Sequence, residues 1–157
     1  MRIRLAIVLF LLSVMTVPLC TCSCIGGPTP IAESRSRYEL VALALCETVT
    51  QDSVKDTKSP RGYTQYLTVL KARMCVLVSA KGTKTLQRIE TITAVGKGSC
   101  GISMREGETY YIAADRITPE DRVWVGTDEE PPFILNRCSG SRVVNAVIID
   151  TVMSLVK

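Results

Sequence analysis

The sequence predicts a mainly β fold, a small closed or partly closed β-barrel with one C-terminal helix, stapled by disulfides. Three observations carry this. Five or six short apolar stretches of strand character are separated by polar Gly-, Pro-, Lys- and Asp-bearing turns. Only the stretch from Arg142 onward spaces its apolar residues near the helical period. Seven cysteines in 157 residues, with no histidine, follow a leader-like N-terminus, which points to an oxidising compartment. A β-sandwich has the same strand statistics and stays open here.

Residues 1–21 read as a secretory signal. Arg2 and Arg4 form the basic start, Ile3 and Leu5 to Met15 an apolar run interrupted by Ser13, and Pro18 closes it. The run is short for a bilayer span, with an uncleaved membrane anchor as the competing reading. Cutting after Thr21 leaves six cysteines and a mature start at Cys22; cutting after Leu19 leaves seven and one odd thiol. Parity and the small Thr21 favour Cys22, making residues 22–157 one domain.

Residues 25–37 are Gly/Pro/Ser-rich with mixed charge and read as an extended polar lead. Residues 38–49 lean to strand on Leu40, Val41, Leu43 and Leu45. Residues 50–62 read as a loop, being rich in Asp, Lys, Pro and Gly. Residues 63–79 alternate, with Leu70, Ala72, Met74, Val76 and Val78 against Val69, Lys71, Arg73, Cys75 and Leu77. Lys81 to Lys84 turn the chain. Further strands are expected over residues 86–95, 109–114, 122–125 and 133–137. Residues 142–156 carry Val144, Val147, Ile148, Val152 and Leu155 near helical spacing; their β-branched residues keep strand as the alternative.

The charge is 19 Lys plus Arg against 15 Asp plus Glu. That small excess excludes nucleic acid as an expected partner. The absence of histidine excludes His-ligated metal centres and Ser-His or Cys-His catalytic pairs within the chain, so no enzyme is expected. Arg35, Arg37, Arg137 and Arg142 are a candidate basic patch for sulfated glycans. Trp124, Tyr110, Tyr111 and Phe133 read as core.

Four pieces in order resemble the tissue inhibitors of metalloproteinases. These are Cys22-Ser23-Cys24 at the mature start; the strand beginning Tyr38-Glu39-Leu40; Ser99-Cys100-Gly101 running to Tyr110-Tyr111-Ile112; and Ile134-Leu135-Asn136-Arg137-Cys138 before a helix. The resemblance implies a netrin-like OB-fold barrel with bridges Cys22–Cys100 and Cys24–Cys138. Cys46 and Cys75 are then left to each other by elimination. A third inhibitory-domain cysteine, expected near Ser36, its partner beyond Cys138 and the family's C-terminal domain are absent from this sequence.

The function the resemblance implies is secreted, extracellular inhibition of zinc metalloproteinases. The α-amine and carbonyl of Cys22 would chelate the zinc of the partner protease, which has an open coordination position. An α-amine titrating near neutrality gives up its proton to a metal readily. Ser23 would stand at the specificity pocket, with Cys24, Ile25, Gly98 and Ser99 as further inhibitory contacts. No intrinsic cofactor, no membrane association after signal cleavage and a monomer are expected. The alternative is a secreted netrin-like binding module that engages a receptor, matrix or immune protein without inhibiting a protease.

Overall fold

The computed structural model describes residues 24, 27–58, 63–96, 99–121 and 131–156. The elements run α1 (Ile31–Arg37), β1 (Leu40–Lys55), β2 (Tyr66–Lys81), β3 (Arg88–Ala94), β4 (Thr109–Arg116), β5 (Phe133–Ile134), β6 (Arg142–Val143) and α2 (Ala146–Val156). The strand expected over residues 122–125, with Trp124, lies outside the described residues.

The strands form one sheet in the order β1-β2-β3-β5-β4-β6, and β1 also pairs with β4. All pairings are antiparallel except β3 with β5. Five strands therefore pair in a ring, and the expected netrin-like OB-fold barrel is corrected: this ring sheet is not a barrel. Among the described residues, only the two-residue β5 links β3 to β4. β1 bonds β4 only from Leu40 to Leu45, and its remaining length pairs with β2 alone. The result is a mixed, mainly β domain with two helices among the described residues.

Alternation along the strands explains the two cores. Leu40, Ala42, Ala44 and Cys46 of β1 and Tyr110, Ile112 and Ala114 of β4 point inward, against Met74, Val76, Ile102, Met104 and Leu135. Their neighbours Val41, Leu43, Tyr111 and Ala113 point outward beneath Ile31 of α1 and Ile148 and Val152 of α2. Burial on both faces accounts for the unbroken apolar run from Leu40 to Leu45, which a one-sided sheet would have interrupted with polar residues.

Of the extended lead expected over residues 25–37, residues 27–30 are not helical, while residues 31–37 are helix α1 instead. Pro30 stands at its N-cap, Glu33 in the first turn and Arg35 and Arg37 in the last, matching the helix dipole. Arg35 Nη1 donates to the Leu155 carbonyl at 2.8 Å and so joins α1 to the end of α2. The expected loop over residues 50–62 is corrected for residues 50–55, because β1 continues to Lys55 in register with Tyr66; residues 56–58 leave the strand, and 59–62 lie outside the described residues. The C-terminal helix is present from Ala146, N-capped by Asn145, whose Oδ1 accepts the Ile148 N–H at 3.0 Å. Its outer side leaves Val147, Ile149, Met153 and Val156 exposed. No helix among the described residues is long and apolar enough to cross a membrane.

Candidate functional site

Cys24 and Cys138 form a disulfide, with Sγ–Sγ 2.05 Å and Cα–Cα 5.4 Å across 114 residues of chain. Just beyond it, Gly27 N donates to Cys24 O at 3.0 Å and Thr29 N to Cys138 O at 3.0 Å. The chain leaving Cys24 is thus held along the turn that contains Cys138. Cys100 is also disulfide-bonded, and its carbonyl accepts the Arg137 N–H at 2.7 Å. Ser99 folds onto its own turn, its hydroxyl donating to Gly96 O at 2.9 Å. Cys22, Ser23, Ile25 and Gly98, the other expected inhibitory contacts, lie outside the described residues.

Two expectations are corrected at this point. The metalloproteinase-inhibitor reading, in which Cys22 chelates a partner's zinc, is corrected: of the Cys-x-Cys pair the structure describes Cys24, which is bonded to Cys138 and not free to chelate, while Cys22 lies outside the described residues. Among the described residues, no group of three or more His, Cys, Asp or Glu side chains is placed to hold a metal ion. The Cys46–Cys75 bridge is overturned by register. Cys46 lies opposite Met74, and Cys75 opposite Leu45. An offset of one residue puts the two side chains on opposite faces of the sheet, and both thiols are free.

The tether ends at a turn that the chain braces from several sides. Ser139 N donates to Asn136 Oδ1 at 2.8 Å, and Ser139 Oγ to Asn136 O at 2.8 Å. Ser139 Oγ also meets Ser141 Oγ at 3.0 Å, and Ser141 Oγ both accepts from Ala113 N and donates to Ala113 O at 3.0 Å. Gly140 has φ +82, and a Cβ there would sit 2.7 Å from the Thr29 carbonyl oxygen. Glycine is required because this turn adopts left-handed backbone and presses on the tethered segment.

Arg137 stands at one end of this turn and Arg142 at the other, on β6. Both line a cavity of about 360 Å³ together with Pro28, Ile102, Ser103, Tyr110, Gly140, Ser141 and Val143. Its floor is buried, with Ile102 6%, Tyr110 1% and Ser141 3% exposed, whereas Val143 on the rim is 50% exposed. Pro28, Ser103, Arg137 and Arg142 are exposed as well. Among the described residues neither guanidinium has a salt bridge or a side-chain hydrogen bond. Two guanidinium groups without a partner among the described residues, beside a floor that includes Ile102 and Tyr110, can pair with an anionic group that also carries apolar surface.

Electrostatics beneath the cleft are settled by burial. Tyr110 donates its hydroxyl to Glu108 Oε2 at 2.7 Å and accepts the Arg105 N–H at 2.9 Å. Burial, with the Glu108 hydrogen bond next, pushes this phenol up to about 12. Burial also raises the Cys46 thiol, with the negative charges of Glu106 and Glu108 adding to the effect. Neither group is an activated nucleophile at neutral pH.

A second cavity of about 260 Å³ lies between the β2–β3 turn and Pro131 to Phe133. There the Arg116 guanidinium sits 4.4 Å over the Phe133 ring and donates to Pro131 O. Its charges are already matched by protein partners: Arg88 bonds Glu47 and Glu90 faces Arg73. The first cavity is therefore the better candidate.

Of the candidate basic patch, only Arg137 and Arg142 share this site. Arg35 is bonded to α2, and Arg37 pairs with Glu33 at 2.9 Å. The sequence reading missed Ile102 and Ser103 and assigned Tyr110 to the core alone. The Asn136-Arg137-Cys138-Ser139-Gly140-Ser141 run was the available signal, since Asn, Ser and Gly together mark a side-chain-bonded turn. No protein-family model matches the chain, and comparison with curated proteins likewise finds no match.

Proposed function

We propose that the chain is an exported, disulfide-tethered binding module that engages a receptor, matrix or immune protein and performs no catalysis. The observation that carries this reading is the cleft itself: two guanidinium groups unpaired among the described residues, over a floor that includes Ile102 and Tyr110, presented by a braced turn that the Cys24–Cys138 bond fixes in place. Residues 1–21 act as the export signal, and the basic-then-apolar order of that segment supports it. Of the resemblance to the metalloproteinase inhibitors, only the Cys24–Cys138 tether is carried forward.

The test is a binding screen of the secreted protein against an array of receptor ectodomains and matrix proteins, run beside Ser103→Trp. Ser103 is exposed on the rim, so an indole there occupies the cleft without entering the core. A ligand bound by the native chain and lost in Ser103→Trp is the expected result. Ligands retained equally by both forms, or none at all, overturn the reading.

A further inference from the structure

We propose that the cleft recognises an acidic peptide segment in which a carboxylate bridges Arg137 and Arg142 while a neighbouring apolar side chain rests on Ile102 and Val143. The inference rests on the binding-module reading and names the chemistry of its ligand. Planar guanidinium groups match carboxylates through paired N–H donors, and such charge-assisted bonds are stronger than neutral ones. Arg137 and Arg142 are the cations that line the cavity, and their charges have no protein partner among the described residues. Glu108 accepts a hydrogen bond from the Tyr110 hydroxyl.

The backbones of both arginines are fixed by hydrogen bonds. Arg137 has its backbone N–H fixed on Cys100 O, and its carbonyl accepts from Gly140 N at 3.1 Å. Arg142 is held by β-pairing with Tyr111. Their backbones are ordered before a ligand arrives, which reduces the entropy lost on binding. The cavity volume, about 360 Å³, is at the lower end of the range of small-ligand sites. It suits one or two side chains of an extended segment rather than a folded surface. Pro28 and Val143 on the rim supply apolar flanks for the residue beside the carboxylate.

The experiment measures fluorescence anisotropy of a labelled peptide of alternating Glu and Leu, with the Gln-for-Glu peptide and a heparin oligosaccharide as comparison arms. The expected result is saturable binding of the Glu peptide, weakened about tenfold by Arg137→Ala and by Arg142→Ala. Lys84→Ala, an exposed cation on the β2–β3 turn, leaves binding unchanged. Ser103→Trp abolishes it while circular dichroism stays native. Equal weakening by Lys84→Ala, equal binding of the Gln peptide, or preference for heparin over the Glu peptide overturns the proposal. An array ligand lost in Ser103→Trp but with no binding of the Glu peptide overturns only the acidic-peptide inference. An array ligand retained in Ser103→Trp overturns the module reading itself.

Discussion

Tyr110 and Tyr111 are consecutive on β4, and their hydroxyls lie in opposite cores with opposite hydrogen-bonding states. The Tyr110 hydroxyl bonds both Glu108 and the Arg105 amide. The Tyr111 hydroxyl is buried beneath the helices with no hydrogen bond of good geometry among the described residues; Ser34 lies close enough to bear on it electrostatically, but its hydroxyl donates to Pro30 O. A buried hydroxyl with no hydrogen bond is a desolvation cost with nothing to offset it. Tyr110→Phe should therefore lower stability by about 1–2 kcal/mol, whereas Tyr111→Phe should be neutral or raise it by up to about 1 kcal/mol. Urea unfolding of the two variants checks this, and a comparable loss in both would mean that Tyr111 is bonded in solution.

The same tyrosine gives a pH dependence. In the unfolded chain a phenol ionises near pH 10, whereas burial and Glu108 hold Tyr110 protonated to about 12. The unfolded state thus releases this proton first. The stabilisation is complete below pH 10 and is lost as pH rises through 12. Urea midpoints of the native protein should fall over that window more steeply than those of Tyr110→Phe. Parallel curves would remove Tyr110 as the cause.

Free thiols at Cys46 and Cys75 should differ in reactivity. Cys46 is fully buried, donates to Thr48 O and has a raised pKa; Cys75 is half-buried on the other face of the sheet. Alkylation of the folded, unreduced protein should label Cys75 first, and Cys46 only on unfolding. Peptide mapping that recovers a Cys46–Cys75 crosslink would contradict the register between β1 and β2.

Loss of the tether should be felt globally. Cys24 and Cys138 enclose 114 positions of sequence, and a loop of that order restricts the unfolded chain strongly. Replacing both with Ser should lower stability by about 2–5 kcal/mol. Denaturant titration measures the change, and an unaltered midpoint would show that the contacts of Thr29 alone hold the segment.

Gly140→Ala tests the turn. The new methyl meets the Thr29 carbonyl oxygen at 2.7 Å and the residue must keep a φ of +82, so a loss of about 1–3 kcal/mol is expected. Gly107→Ala is the control: its φ is +79, but no atom lies within 4 Å of the added carbon. Similar losses in the two variants would assign the effect to backbone strain alone and not to pressure on Thr29.

The sequence by itself determined the strand-rich character, the inward set Ala72, Met74 and Val76 of β2, and the amphipathic helix at the C-terminus. Each follows from local periodicity, which a chain displays whatever its neighbours. Tertiary structure decided the rest. Seven residues make too short a helix to form unaided, so α1 depends on burying Ile31 and Ser34 and on Arg35 reaching Leu155. The polar half of β1 is strand because β2 pairs with it through Lys55, not because of its composition. A single step of register separated Cys46 from Cys75, and elimination among cysteines contains no register. Sequence spacing could not distinguish Arg137 and Arg142 from Arg35 and Arg37. The disulfide and the Asn136–Ser141 turn brought one pair to a common cleft, while Glu33 and α2 took up the other, because side chains distant in sequence meet only where the backbone has closed around them.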